Sequence, residues 1–385
     1  MTRRKRDPLP VRRLREEALR NEAGTPARKH HLVPASYLRR WAEDDSKGRS
    51  KLRVTEIDRA TSYCVGPDNA ARETDFYRVE HPDLDPAKVP PSLFETHLSK
   101  IERNAKHAIS ELIEHRATYS LGPDQFVLFA WHLAYTATRG RAFRARTNAV
   151  ATAHYRLIPE SITDSTIAAR IRGLGEDPTP ELVASCRQVF DDVRDGKLIA
   201  RHDESAVILL SADIAKGIGE RLCKRTWLVY DTPPVLVTCD EPVVAIGGPG
   251  AARGEYCGID GAGAIVYPLS PAHLLVMFHS KLEPPEGPLA LDHAETAEIN
   301  REIIAAGNRW AFERPGRRVT ERLRVPPLPS TGVRTQGPFR PVRGDTEVRE
   351  IFRQFVPTRW ADEAIPPAWP VDRWWKEWDY DRYRC

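Results

Sequence analysis

The sequence predicts an α+β protein: a mostly α-helical body with a small antiparallel β-sheet region. Helical periodicity dominates residues 92–222, whereas residues 225–282 break into short β-rich runs divided by Pro, Asp and Gly. At 385 residues and 41% hydrophobic content, the chain can close a sizeable core.

Residues 1–27 are basic and Pro-marked, and are expected to form a flexible arm with a short helix through Leu14, Glu17 and Ala18. The body is expected over 28–313. It opens with KHHLVP, after which Tyr37, Leu38 and Trp41 fall at helical spacing behind Pro34. LRVTEID, TSYCV and TDFYRVE alternate apolar and polar residues and predict a small antiparallel β element. Pro90-Pro91-Ser92 opens the first long helix, whose stripe of Leu98, Ile101, Ala105, Ile109 and Leu112 runs for about six turns. Gly122-Pro123-Asp124 opens a second, read as one helix through DQFVLFAWHLAYTATRGRAFRAR and apolar on nearly every side of its first half, as in a buried rod. Further helices are expected at about 162–172, 179–195 and 203–222. TWLVYD, PVLVTCD, PVVAIG, AIVYPLS and HLLVMFH then read as strands, and HAETAEINREIIAAGNRWAFE as a late helix. Residues 314–344 are a Pro/Gly-rich linker, and 345–385 a docking tail with five tryptophans, at 360, 369, 374, 375 and 378.

The formal net charge is +4, yet residues 1–40 hold twelve Lys/Arg against four Asp/Glu, so the rest of the chain is net negative. The run Arg3, Arg4, Lys5, Arg6, with Arg12, Arg13 and Arg15, reads as an arm that can condense on nucleic acid. The Trp-rich tail offers a surface for the body or for a protein partner. No apolar run approaches the roughly 20 residues of a membrane span, and no secretory signal is read at the N-terminus, so a cytoplasmic protein without membrane contact is expected. The six cysteines show no zinc-type spacing and suit a reducing compartment.

Chemistry concentrates at a few polar residues on apolar elements. His30-His31 can supply a metal ligand and a general base, because imidazole is neutral and basic near pH 7. Glu95 and Glu102 lie seven residues apart on one helix face, about 10 Å along the axis. The most apolar helix carries His132, Tyr135 and Arg139 as a polar line, and a buried Arg139 needs anionic partners such as Glu95 and Glu102. Val237-Thr-Cys-Asp240-Glu241-Pro242 ends a strand in two carboxylates, a pattern shared by metal sites and ordinary turns, and Asn300 is similarly ambiguous. The Gly-rich stretch 247–263 lacks both the P-loop and the dinucleotide patterns, so no nucleotide cradle is read there.

The order of these residues resembles the bacterial domain-of-unknown-function family 4238. The likeness runs over about 29–310: His31, Pro34, Tyr37 and Leu38, the pair Phe76-Tyr77, Glu95 and Glu102, Arg139, the turn Thr238 to Pro242, and Asn300. Cys239 stands where the family pattern has Ser, and Glu241 where it has Asn. The resemblance implies a residue set and a helical-plus-β layout, and names no reaction.

Two functions are expected from this set. In the first, the chain is a metal-dependent hydrolase of nucleic acid or another phosphodiester. His30, Glu95, Glu102 and Asp240 hold Mg²⁺ or Mn²⁺, His31 activates water, and Arg139 neutralises the developing charge. In the alternative, the same residues form a buried network in a non-catalytic partner-binding or regulatory module; a lesser option is a pocket sensing an anionic ligand through Arg139.

Overall fold

A computed structural model describes residues 9–24, 28–157, 162–329, 332–341, 350–376 and 378–380. Its secondary structure is mixed α+β with small antiparallel sheets. Among the described residues, no helix is long and apolar enough to cross a membrane.

The short helix expected through Leu14, Glu17 and Ala18 lies within α1 (Leu9–Ala23). Its Ala18 is fully buried, because the helix lies on the long helix that follows: Ser92 Oγ donates to the Ala18 carbonyl at 3.1 Å, and Lys100 pairs with Glu17 at 2.6 Å. The run Arg3 to Arg6 lies outside the described residues. Next come β1 (Lys29–His31), the one-turn α2 (Ala35–Leu38), β2 (Glu43–Asp44), β3 (Ser50–Glu56), β4 (Thr61–Val65) and β5 (Arg72–Thr74). β1 pairs antiparallel with β5, which sets His31 opposite Arg72 and His30 opposite Glu73.

Helices α3 (Leu93–His115) and α4 (Pro123–Thr138) follow the two proline signals. The second expected helix does not run on to Arg146; it breaks at Arg139-Gly140 and restarts as α5 (Arg141–Leu157). Then come α6 (Asp164–Gly173), α7 (Pro180–Arg194) and α8 (Glu204–Leu222), close to the bounds that periodicity predicts. The remaining elements are β6 (Thr226–Asp231), β7 (Thr238–Cys239), β8 (Val244–Ile246), the single turn α9 (Gly258–Gly261), β9 (Ala264–Ser270), β10 (His273–Phe278), α10 (His293–Ala306), β11 (Trp310–Glu313), α11 (Val319–Arg322), β12 (Arg334–Pro341) and β13 (Glu350–Phe355). The last two form a hairpin inside the expected linker and tail.

Contacts divide the chain into two units. The first holds the described residues up to Phe143, Glu204–Pro329 and those from Thr358 onward; the second holds those of Arg144–Asp203 and Ser330–Pro357. In the second unit, Thr163 caps α6 with a reciprocal box, Thr179 caps α7, and Arg187 ties the pair together through Asp164 at 2.5 Å.

The core of the first unit is organised by the four-stranded antiparallel sheet β6-β10-β9-β8. Alternate residues of its strands point to opposite faces. Trp227, Val229, Ile265, Tyr267, Leu275 and Met277 join α3, α4 and α8 in one apolar cluster. Tyr230, Val266, Leu274, Val276 and Phe278 join α10 and the C-terminal tryptophans in another. Cover on both faces explains why these strands read as continuous apolar runs without alternation. α4 and α8 approach closely at Gly219, where a Cβ would meet the Trp131 ring at 3.1 Å.

The tryptophan tail therefore docks on this chain's own sheet: Trp374, Trp375 and Trp378 are buried, and Trp374 packs edge-on against Phe278 at 5.4 Å between centroids. Trp369 and Trp360 stack on Arg253, which forms a buried two-pronged ion pair with Glu302 at 3.0 and 2.5 Å. The described cysteines are all free; Cys385 lies outside the described residues.

Candidate acid–base site around Arg139

The polar residues singled out in the sequence sort by one criterion: whether the fold itself satisfies their hydrogen-bonding atoms. A buried polar group is nearly always paired, so those left unpaired are the informative ones.

Several are satisfied. His30 is 2% exposed, its Nδ1 accepts the Tyr77 N–H at 2.8 Å, and its ring stacks on Tyr77, so it fixes the turn after β5. Tyr37 hydroxyl donates to the Pro268 carbonyl at 2.7 Å and meets Thr238 Oγ1 at 2.8 Å. Asn300 on α10 clamps the approach to β7, accepting from Val237 N–H at 2.9 Å and donating to the Val235 carbonyl at 3.0 Å. The Asp240 carboxylate accepts the N–H groups of Asn308 and Arg309 at 2.8 and 2.9 Å, holding the turn between α10 and β11. Burial pushes the Asp240 carboxyl up to about 6 against the pull of those backbone donors.

The polar line on α4 also disperses. His132 faces Tyr267 of β9 at 3.4 Å, and burial pulls its imidazole down to about 3, so it is neutral. Tyr135 instead meets His97 at 3.0 Å. Of the three, Arg139 alone is bonded to a carboxylate of α3, that of Glu102.

The Arg139 side chain is 1% exposed and donates from Nη1 to Glu102 Oε1 at 2.5 Å, with the Glu102 side chain 24% exposed. Burial works against the Arg139 charge, but the attraction of Glu102 outweighs it and raises the guanidinium above its ordinary value. Its Nε and Nη2 are buried and find no acceptor among the described residues. These two N–H groups lie on the same side of the guanidinium and form the fork that grips a carboxylate or phosphate with two parallel bonds. Beside it Glu95 is half-buried; loss of water, reinforced by the Glu102 charge, pushes its carboxyl up to about 7. His31 contributes the third group. Burial holds its imidazole below the ordinary value, and its buried Nδ1 has no partner. The charges of Arg72 and Arg139 add to that lowering, while a backbone bond to Ala70 opposes it. Nδ1 is thus the ring nitrogen left without a partner among the described residues.

Of the four residues expected as metal ligands, His30 and Asp240 are bonded to backbone N–H groups and Glu102 to Arg139. Among the described residues no three His, Cys, Asp or Glu side chains converge to hold an ion. Sequence reasoning also passes over Glu73 and Gly140. Glu73 pairs with Arg141, and the Glu241 carboxylate accepts the Ala142 N–H at 2.8 Å across Gly140. The Arg-Gly-Arg interruption of an apolar helix was the available signal.

Fold and side chains together define an α+β protein in which a two-faced antiparallel sheet packs on the helix that ends at a buried Arg139 paired with Glu102. The chain belongs to the family described as protein of unknown function DUF4238, whose model matches residues 29–317. No curated protein and no solved structure gives a significant match.

Proposed function

We propose that this cluster is the acid–base centre of a hydrolase acting on a phosphodiester, with nucleic acid as the substrate class. The observation that carries the reading is the buried, unfilled Nε/Nη2 fork of Arg139 next to a carboxyl whose protonation balances near neutral pH. A permanent cation with two unmatched donors is an arrangement that an incoming oxyanion completes.

In this reading the fork holds a non-bridging phosphoryl oxygen pair, and Glu102 keeps the opposite edge of the guanidinium fixed through Nη1. Neutral His31 takes a proton from water through Nδ1 as the new O–P bond forms. Glu95, protonated for part of the population near pH 7, gives its proton to the departing oxygen as the old P–O bond breaks. Charge that develops on the phosphoryl oxygens is met by Arg139. His30 and Asp240, two of the four residues expected as ligands, are bonded to backbone N–H groups, so the steps are drawn through the side chains alone.

The test is hydrolysis of labelled single-stranded DNA and RNA and of a bis-aryl phosphate, with and without added Mn²⁺, by the native chain and by Glu95→Gln, His31→Ala and Arg139→Lys. Loss of about 100-fold or more in each folded variant is expected, in keeping with removal of a general acid, a general base or an oxyanion donor. Unchanged rates in all three, or no turnover by the native chain on any of these substrates, would remove the reading.

A further inference from the structure

We propose that Glu241 is a positioning residue for Arg139, acting as a carboxylate clamp on the turn between α4 and α5, and that Gly140 is the space the clamp requires. The proposal rests on the reading of Arg139 as the oxyanion-holding group, but its geometry stands apart from it.

Arg139 is the last residue bonded into α4, its N–H donating to the Tyr135 carbonyl at 2.9 Å, and α5 begins two residues later. Between them the chain must turn, and the first N–H groups of α5 have no partners within their own helix. Glu241, 8% exposed, satisfies one by accepting from Ala142 at 2.8 Å, and its negative charge lies at the favourable end of the α5 dipole. The carboxylate occupies the place where a side chain at residue 140 would begin: a Cβ built there would lie 2.6 Å from Glu241 Cδ and collide with its oxygens.

The mount of the clamp is rigid. Asp240 N–H is bonded to the Trp310 carbonyl at 3.0 Å and the Asp240 side chain to two further backbone groups, so the residue next to Glu241 cannot drift. From the other side, Glu73 of β5 holds Arg141, whose guanidinium also lies 5.7 Å from the centre of the Trp310 ring. Arg139 thus leaves a turn gripped through the residues that follow it, which fixes the direction in which its fork points.

The experiment uses the full chain with ¹⁵N-labelled arginine, the Arg139 Nε–H resonance being assigned by its loss in Arg139→Lys, together with calorimetric titration of inorganic phosphate. Gly140→Ala is informative because the atoms its Cβ meets are the far end of the flexible Glu241 side chain, so the clamp moves while the backbone can stay. Glu241→Ala and Gly140→Ala are each expected to shift the Arg139 Nε–H resonance, speed its exchange with water by about tenfold or more, and weaken phosphate by a similar factor. Glu241→Gln, which keeps an acceptor oxygen, is expected to retain the native resonance and affinity within about threefold. The Glu241→Ala/Gly140→Ala pair is expected to be no worse than either single change, the signature of two residues acting through one contact. A native Arg139 resonance and exchange rate in Glu241→Ala would overturn the proposal. If the native chain bound no phosphate, the function reading would fall while the resonance still decided the clamp.

Discussion

At Glu95 the carboxyl titrates near 7 in the fold against the ordinary value of 4.5, and the direction of that shift fixes its effect on stability. A carboxyl raised in the native state contributes stability that is fully present below its unfolded value and is lost as pH rises through about 7. Glu95→Gln should therefore leave the unfolding free energy unchanged near pH 4 and raise it above pH 8, by at most about 3 kcal/mol and less where water reaches the half-buried group. Urea titrations at the two pH values check this. The adjacent histidines should separate by the same kind of measurement. His30→Ala strips the acceptor from a buried Tyr77 N–H and should destabilise by about 1–3 kcal/mol or more, whereas His31→Ala gives up its backbone contact to Ala70 but orphans no buried N–H and should cost less. Equal losses in both would contradict the division between satisfied and unsatisfied residues. The sequence shows the pair but not this division, because it depends on which ring nitrogen meets a backbone N–H from 47 positions away.

Among the elements, the long helices were legible because their apolar stripes are long and begin at proline signals, and the strands of the central sheet because both faces are buried. The break between α4 and α5 was not, since the apolar pattern runs straight through Arg139 and only Gly140 marks it. The β12-β13 hairpin was hidden by the Pro/Gly composition that ordinarily signals a linker. α1 was legible as a helix, but its seat was not, because the burial of Ala18 depends on the α3 surface it meets. The same logic makes the tail a packing element. Trp374 fills the face of the sheet shared by Tyr230 and Phe278, so Trp374→Ala should cost about 3–5 kcal/mol, read as a lowered denaturation midpoint.

For the whole molecule, the chain leaves the first unit at Phe143, returns at Glu204, leaves again near Pro329 and returns at Thr358. Its last segment is therefore part of the first unit's core, and Arg359 confirms how deeply: its side chain is fully buried and bonded to Asp58 at 2.5 Å and to the carbonyls of Pro326 and Gly307 at 2.8 and 3.0 Å. A chain ended at Pro357 should lose the cooperative transition of that unit; a transition unchanged in midpoint would contradict the assignment of the tail to the core. Composition alone could not reveal this, because a Trp-rich end serves a partner surface as readily as its own sheet until the packing is seen.

Everything proposed for Arg139 requires that its Nε and Nη2 receive an oxyanion. A crystal soaked in phosphate or vanadate tests that most directly. The account predicts a tetrahedral anion within hydrogen-bond distance of both Nε and Nη2, with the Glu102 contact to Nη1 preserved. A fork that stays empty at saturating anion, or that is filled by an acceptor from the protein itself, would contradict it.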